Sequence, residues 1–354
     1  DTPDLKSRIY GPGYFLCGEE ENMLNEKEDM LKVYRHEIPD GLPHLLSEGV
    51  CFLAPQNGFW ERPSGGQGGK DWFGVTWAYS EGEMAPVPDS TVPPICSDIC
   101  RWREQIKFPD MEAWDWEKAA EIDHVAEVDR EHKMLYTSSL NGLFERMHTL
   151  MGFENALCSL LTDPEEVEEF LDAMVDFKCA QLTKLKEYYN PDVLNFHDDY
   201  GTQRGLFFSP EIWRTMFKPR LKKITDHCHS LGMIFELHSC GLIEDIIPDI
   251  CDIGVDCLQC MDINDVKKMK EITGERMAYG VSPNFQKYAA GMAVGSLTEE
   301  ELRREIHEEI MTLSEGGNYY PFINPPLTEM DRIIWEEADV CRQELLKKHG
   351  IIQN

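Results

Sequence analysis

The sequence lacks long apolar runs and is short of basic side chains. No apolar run in its 354 residues approaches the ~20 residues that a membrane-spanning helix needs. Lysine and arginine number 34 against 65 aspartates and glutamates, which gives a formal net charge of -31 at pH 7. Such an excess of negative charge argues against nucleic acid or an anionic membrane surface as the main partner. It leaves room for a protein partner with a complementary patch.

A secretory signal and a disulfide pattern are also missing from the sequence. No basic segment followed by an apolar stretch opens the chain, although it starts at Asp1 and a trimmed N-terminus stays open. The 12 cysteines are scattered, so we interpret them as thiols of a reducing compartment and the pair Cys96 and Cys100 as structural. Together these observations predict a soluble, cytoplasmic protein.

No Gly-x-Gly-x-x-Gly follows a predicted strand, which disfavours the alternative of a doubly wound dinucleotide-binding sheet. From about Asp110 strand and helix patterns alternate every 25 to 40 residues, which indicates parallel strands with crossover helices. Six strands are predicted at residues 134–139, 192–197, 233–238, 254–259, 276–280 and 317–322, and the apolar runs at 50–54 and 73–77 offer two more. We therefore predict an α/β fold, a (β/α)8 TIM barrel.

The N-terminal third differs from the rest in composition. Residues 1–110 are irregular, rich in proline and glycine, and dense in aromatic side chains between positions 59 and 79. This pattern predicts an extension with lid-like loops packed on the barrel. The loops either cover an active site or form a satellite core. The extension includes the first barrel strands if the two early apolar runs belong to the barrel. Residues 111–354 then form the catalytic barrel domain.

The segment at residues 232–241 places three metal-competent side chains at alternate positions. Glu236, His238 and Cys240 follow an apolar strand and precede a glycine, so they project to one side of the strand end. A thiolate and an imidazole two residues apart form a plausible half of a zinc site. The alternative is a buried histidine beside a buried free cysteine.

Further polar residues follow the other predicted strands, where reactive groups of such barrels stand. Adjacent acids at Asp198 and Asp199 can bind a metal, orient an imidazole or act as a general base. One of them can instead be a cap or turn residue before Gly201.

Four motifs resemble the uroporphyrinogen-decarboxylase-like superfamily. They are Asp-Asp-Tyr-Gly-Thr-Gln at 198–203, Phe-Ser-Pro-Glu-Ile-Trp-Arg at 208–214, Leu-His-Ser-Cys-Gly at 237–241 and Ile-Gly-Val-Asp-Cys-Leu-Gln at 253–259. The resemblance spans roughly residues 134 to 345 and implies a (β/α)8 barrel. The superfamily contains the haem-pathway decarboxylase and a set of zinc-carrying, corrinoid-dependent methyltransferases.

The methyltransferase branch is favoured, because no arginine-rich N-terminal signature is present to grip tetrapyrrole carboxylates. In that branch the resemblance implies that His238 and Cys240 bind zinc. The further cysteine of the coenzyme M type is missing from residues 316–326, so the third ligand comes from elsewhere or the metal is absent. The candidates for it are Glu236, Cys260, Asp198 and Asp199. This departure favours an O-demethylase that transfers a methyl group from a methoxylated, aromatic substrate to a cobalt(I) corrinoid (cobalamin). The chain has no Asp-x-His-x-x-Gly cobalamin-binding motif, so we expect a partner protein to carry the corrinoid.

The expected chemistry assigns roles to the remaining candidates. Zinc acts as a Lewis acid on the leaving oxygen, and Tyr200 or Asp199, with Asp198 beside them, supplies the proton. Side chains expected to contact the substrate are Trp72, Phe73, His197, Gln203 and Asn324. The alternatives are a methylcorrinoid:thiol methyltransferase of the coenzyme M kind, a uroporphyrinogen decarboxylase, and a barrel that serves only as a binding subunit.

Overall fold

Apolar stretches with many β-branched and aromatic residues form the strands. The computed structural model describes residues 20–53, 61–63, 68–80, 85–323 and 328–353, with the main chain alone for 20–25. The strands are β1 Val50–Phe52, β2 Gly69–Lys70, β3 Thr76–Ala78, β4 Val87–Pro88, β5 Met134–Ser139, β6 Val193–His197, β7 Gly201–Thr202, β8 Gly205–Leu206, β9 Ile234–Ser239, β10 Cys257–Cys260, β11 Ala278–Val281 and β12 Tyr319–Pro321.

Seven of these strands form one curled parallel sheet in the order β1-β5-β6-β9-β10-β11-β12. This is the strand arrangement of a TIM barrel, so the predicted fold is confirmed, and all six strands predicted after residue 110 belong to the sheet. The N-terminal run at Val50 supplies β1, which pairs in parallel with Met134 and its neighbours in β5. The segment before residue 110 therefore contributes a strand to the barrel.

The second N-terminal run, at Phe73, is not a barrel strand. Its end forms β3, the centre of a small antiparallel sheet with β2 and β4. The Asp71 carboxylate accepts hydrogen bonds from the backbone N–H groups of Phe73 and Val75, and Gly74 has a φ of 88°. This side-chain turn folds the run back on itself, which prevents it from extending beside β1.

Helices cover the outer face of the parallel sheet. They are α1 Glu20–Tyr34, α2 Trp102–Gln105, α3 Trp116–Ile122, α4 Phe144–Met151, α5 Phe153–Thr162, α6 Pro164–Tyr188, α7 Pro210–Ile212, α8 Lys218–Ser230, α9 Ile247–Asp252, α10 Val266–Thr273, α11 Phe285–Ala293, α12 Glu299–Ser314 and α13 Glu329–Lys348. Among the described residues, no helix combines the length and apolarity needed to cross a membrane.

Local sequence signals set several helix starts. Pro164 opens α6, where a missing N–H costs nothing, and Ser209 caps α7 by accepting from the Ile212 N–H. Capping boxes start α12 at Thr298 and α13 at Thr328. Each of the last two helices therefore has its own start signal, and the two helices pack against each other.

Two buried ion pairs attach the N-terminal segment to the barrel. The Arg146 guanidinium of α4 donates to the Asp71 carboxylate at 2.6 Å, and both side chains are fully buried. The Lys178 ammonium of α6 pairs with Glu61 and donates to the Leu140 carbonyl at 2.7 Å. Because a buried charge without its partner is costly, these pairs fix where the segment lies.

Replacing Lys178 with methionine should expose the importance of this attachment. The variant leaves the Glu61 carboxylate buried without its cation, so the free energy of unfolding should fall by about 3–5 kcal/mol. Urea denaturation followed by circular dichroism measures the change. Lys223→Met is the matched control, because that side chain is 62% exposed. The control should stay within about 0.5 kcal/mol of the parent, and equal effects of the two changes would refute the anchoring role.

Candidate metal centre at the carboxyl ends of the strands

The pairing of β6 with β9 brings two histidines together. Parallel register places Asn195 opposite Glu236 and His197 opposite His238. Side chains alternate along a strand, so these four point into the barrel while Phe196 and Leu237 pack outward against the helices. His197 and His238 are thus the last inward residues of their strands, at the end where barrel enzymes carry their chemistry.

The two imidazoles lie almost parallel, with ring centroids 3.9 Å apart and an interplanar angle of 15°. The Nδ1 atom of each ring lies within hydrogen-bond distance of a neighbouring side chain. His197 Nδ1 lies 2.9 Å from Glu145 Oε2, and His238 Nδ1 lies 2.7 Å from Gln259 Oε1. If Nδ1 of His238 carries the proton and donates it to the Gln259 carbonyl oxygen, Nε2 keeps its lone pair for a ligand.

Asp199 and Cys240 complete the group around His238. The Asp199 Oδ1 atom accepts a hydrogen bond from the Cys240 N–H at 2.6 Å and lies 3.6 Å from His238 Nε2. The Cys240 Sγ atom lies 3.4 Å from the same nitrogen. His197, Asp199 and His238 also offer ligand atoms that all lie within 4.8 Å of one another.

These spacings fit a tetrahedral metal ion. Bond lengths of about 2.0–2.3 Å place neighbouring ligand atoms roughly 3.3–3.6 Å apart, and the observed separations from His238 Nε2 are 3.4 and 3.6 Å. Sulfur, nitrogen and carboxylate oxygen are also the donors that zinc takes in proteins. The donor types and these two separations therefore fit zinc.

Burial dominates the electrostatics of the site. It lowers the pKa of His197 and of His238 to about 4, so both rings are neutral at pH 7 and available as ligands. Burial, together with the nearby Asp199 charge, raises the pKa of Glu145 to about 8. Burial also opposes ionisation of Asp199, but the positive charge of the two histidines in their protonated forms and the Cys240 hydrogen bond outweigh it, so the pKa of this carboxyl is lowered.

The neighbouring acid Asp198 is fully buried and caps a helix. Its oxygens accept hydrogen bonds from the N–H groups of Leu143, Phe144 and Glu145 at 2.9, 3.2 and 2.9 Å, and from the Tyr200 hydroxyl at 2.7 Å. Burial and the nearby Glu145 raise the pKa of Asp198 to about 7. Asp198 and Tyr200 therefore satisfy each other below the site, and of the two adjacent acids only Asp199 faces the histidines.

Glu236 lies one layer deeper in the barrel and is surrounded by hydroxyl groups. Its carboxylate accepts from Tyr34 at 2.8 Å, Tyr320 at 2.8 Å, Asn195 at 3.0 Å and from Tyr136. These four donors occupy the acceptor positions of both oxygens. The structure thus separates Glu236 from His238 although the two share a strand face.

The remaining candidates within the described residues lie away from the histidines. Cys260 alternates with the inward Gln259 and belongs to the outer core. Phe73 is buried in an aromatic cluster with Trp72 and Phe177. Gln203 is exposed at the turn between β7 and β8, and Asn324 lies outside the described residues.

Two residues of the site have no assigned role in the sequence-based prediction. Gln259 stands among the polar residues at the end of a predicted strand, so its position could have identified it. Glu145 lies in the first turn of α4, 52 positions before His197. Its only signal is its place in the segment that follows a barrel strand, where functional groups accumulate.

The fold and these side chains define a TIM-barrel protein with a candidate metal centre at the carboxyl end of its strands. Residues 110–282 match the family model of uroporphyrinogen decarboxylase (URO-D). This part of the chain is a URO-D family domain, and the predicted relationship to the uroporphyrinogen-decarboxylase-like superfamily is confirmed.

Relatives of known activity are methyltransferases. The chain is 29% identical over 129 residues to a methylated-thiol–coenzyme M methyltransferase of Methanosarcina mazei, a match that covers 36% of this chain and 33% of the relative. The match thus spans about a third of that curated relative's length. A solved methyltransferase from Methanosarcina mazei superposes with a TM-score of 0.57 at 19% identity over 76% of each chain, which supports the fold. The sequence similarity fits the methyltransferase branch of the superfamily, and the structural similarity shows the fold alone.

The two adjacent aspartates should differ sharply when replaced. Asp198→Ala leaves three buried N–H groups and a tyrosine hydroxyl without their acceptor, so unfolding should become easier by about 3 kcal/mol or more. The Asp199 side chain is 26% exposed, and Asp199→Ala should cost about 1 kcal/mol, the value of one hydrogen bond. Chemical denaturation of both variants checks this order, and the reverse order would contradict it.

Proposed function

We propose that this protein is a zinc-dependent methyltransferase that removes a methyl group from a methoxylated aromatic substrate and passes it to the reduced corrinoid of a partner protein. The observation that carries the proposal is the donor set of His238, Cys240 and Asp199 at the mouth of a URO-D family barrel. Similarity to methyltransferases favours methyl transfer over decarboxylation.

The donor set supports activation of an ether. His238 Nε2, Cys240 Sγ and Asp199 would hold the metal with one position left for the substrate. Zinc bound there would supply Lewis acidity toward the oxygen that loses its methyl group. The harder carboxylate donor takes the place of a second thiolate and donates less charge. A site of this kind suits the polarisation of an ether oxygen.

His197 and Glu145 are placed to manage the proton that the reaction requires. The methyl group leaves the ether oxygen, that oxygen takes a proton, and the methyl acceptor is the corrinoid supplied by the partner. His197 stacks on His238 and contacts Glu145 through Nδ1 at 2.9 Å. This pair can deliver a proton from the buried carboxyl to the mouth of the site through the imidazole. Asp198 and Tyr200 would support it from below by fixing the start of α4.

A second candidate function follows from the curated relative, whose name specifies a methylated thiol. In this reading the same three ligands hold a metal that stabilises a thiolate, and the substrate carries a methylthio group or a free thiol. The two functions share the site and differ in the atom that carries the methyl group.

Metal content tests the shared part of both functions. The purified parent should contain about one zinc at this site, and Cys240→Ser should contain about one zinc per chain less than the parent because a ligand is lost. Cys260→Ser is the matched control, since it alters a thiol on the adjacent strand that faces the outer core. Elemental analysis after dialysis against a weak chelator gives the occupancy. Equal zinc in the parent and in Cys240→Ser, or a loss confined to Cys260→Ser, would refute this ligand assignment.

Substrate assays with free cobalamin as methyl acceptor distinguish ether from thioether. The zinc-loaded protein should demethylate methoxylated aromatics with cob(I)alamin, and Cys240→Ser should be at least about a hundredfold slower. Demethylation is followed by the absorbance change of the cobalamin and by the phenol that is released. Turnover of methylthio compounds, or methylation of thiols by methylcobalamin, without any ether cleavage would establish the second function instead.

A further inference from the structure

A second set of metal-competent side chains lies between the last two helices. His307 of α12 faces Glu337, Cys341 and Glu344 of α13, which recur at i, i+4 and i+7 and so share one helix face. The ligand atoms of His307, Glu337 and Cys341 lie within 4.8 Å of one another. This group is separate from the residues at the mouth of the barrel.

The distances within this group fit one coordination sphere. His307 Nδ1 lies 3.0 Å from Glu337 Oε1 and 3.4 Å from Cys341 Sγ. A tetrahedral ion with nitrogen, oxygen and sulfur ligands requires edges of about 3.3–3.6 Å, so a shift of a few tenths of an ångström suffices. The other ring nitrogen, Nε2, lies 3.3 Å from Glu344 Oε2. A carboxylate behind the free nitrogen is the arrangement that orients ligating histidines.

The surroundings protect the group from water on one side. Cys341 is fully buried and packs in the apolar cluster that includes Ile306, Ile334 and Ala338, and Glu337 is 8% exposed. A buried thiol and a buried carboxylate that converge on one imidazole are unusual in such a core.

A nearby arginine does not block the ligand atom. Arg303 donates to Glu299 and Glu336 at 2.8 and 2.6 Å, and its closest approach to Glu337 is 3.8 Å, on Oε2. The Oε1 atom of Glu337 therefore faces His307.

We propose that His307, Glu337 and Cys341 form a second, structural site for a divalent transition metal such as Zn²⁺, with Glu344 orienting the histidine. Binding there ties α12 to α13 at the end of the barrel wall. The proposal does not rest on the proposed methyl transfer, because it shares no residue with that site.

Cobalt(II) substitution can isolate this site, because a cobalt–thiolate bond absorbs in the near ultraviolet. The metal-free, reduced Cys240→Ser variant lacks the thiolate of the barrel site, so any such absorption must come from another cysteine. We expect it to bind about one Co²⁺ per chain with thiolate absorption. Adding Cys341→Ser should abolish this absorption and weaken that binding at least tenfold. Adding Cys251→Ser, which changes another buried thiol, should leave it unchanged.

A second variant tests the same site in case Cys341→Ser prevents folding. Cys240→Ser combined with His307→Gln alters a partly exposed side chain and should also remove the cobalt–thiolate absorption. In a thermal melt, Zn²⁺ should raise the midpoint of Cys240→Ser but not that of the His307→Gln combination, since only a bound ligand stabilises the folded state. Absence of thiolate absorption in folded Cys240→Ser, or its persistence after either second change, would overturn the proposal.

Discussion

The parallel register between β6 and β9 is the constraint on which the site depends. It places Asn195 beside Glu236 and, one inward step further, His197 beside His238. Because the side-chain period of a strand is two, a slip of β9 by one residue would turn Glu236 and His238 away from the barrel interior. The Glu236 carboxylate penalises any such slip, since a buried charge is tolerated only with its hydrogen-bond donors, and Tyr34, Tyr136 and Tyr320 supply them in this register. The hydrogen bonds of Glu236, one layer deeper in the barrel, thus fix the register that places His197 beside His238. Gln259 connects the two layers, because its Nε2 lies 3.4 Å from the Tyr320 hydroxyl while its Oε1 holds His238.

Helix α4 transmits a second constraint, between the covering segment and the site. Its consecutive residues Glu145 and Arg146 contact His197 on one side and Asp71 of the N-terminal segment on the other. The start of the same helix is held by Asp198, the neighbour of the candidate ligand Asp199. Movement of the segment that includes Asp71 would therefore act on Glu145 and on the loop after β6 together, which gives a physical route from the N-terminal segment to the pair proposed to handle the proton.

The sequence predicts geometry well where the two-residue repeat of a strand sets it, and poorly where partners far apart in the chain set it. The spacing of His238 and Cys240 was sufficient to predict that they lie side by side, because alternation along a strand is local. The roles of Asp198 and Asp199 could not be separated, since they differ only in which one meets the N–H groups of a helix more than 50 residues earlier. The burial of Glu236 among tyrosines was likewise hidden, because its donors come from α1, β5 and β12. The run at Phe73 remained a possible barrel strand, because its apolar pattern does not reveal the turn that Asp71 imposes.

The same three donor types, imidazole, carboxylate and thiol, come together twice within the described part of the chain, with opposite accessibility. At the barrel mouth the Asp199 side chain is 26% exposed and the Cys240 thiol is only partly buried, so a fourth position would open toward a substrate. Between α12 and α13 the Cys341 thiol is fully buried and the carboxylate of Glu337 is nearly so, in an apolar core that leaves no comparable approach to the thiol. Catalytic zinc sites keep an open position and structural ones are closed. The chemistry of a donor set is therefore not sufficient to assign its role: strand ends expose it to ligands, whereas packed helices exclude them.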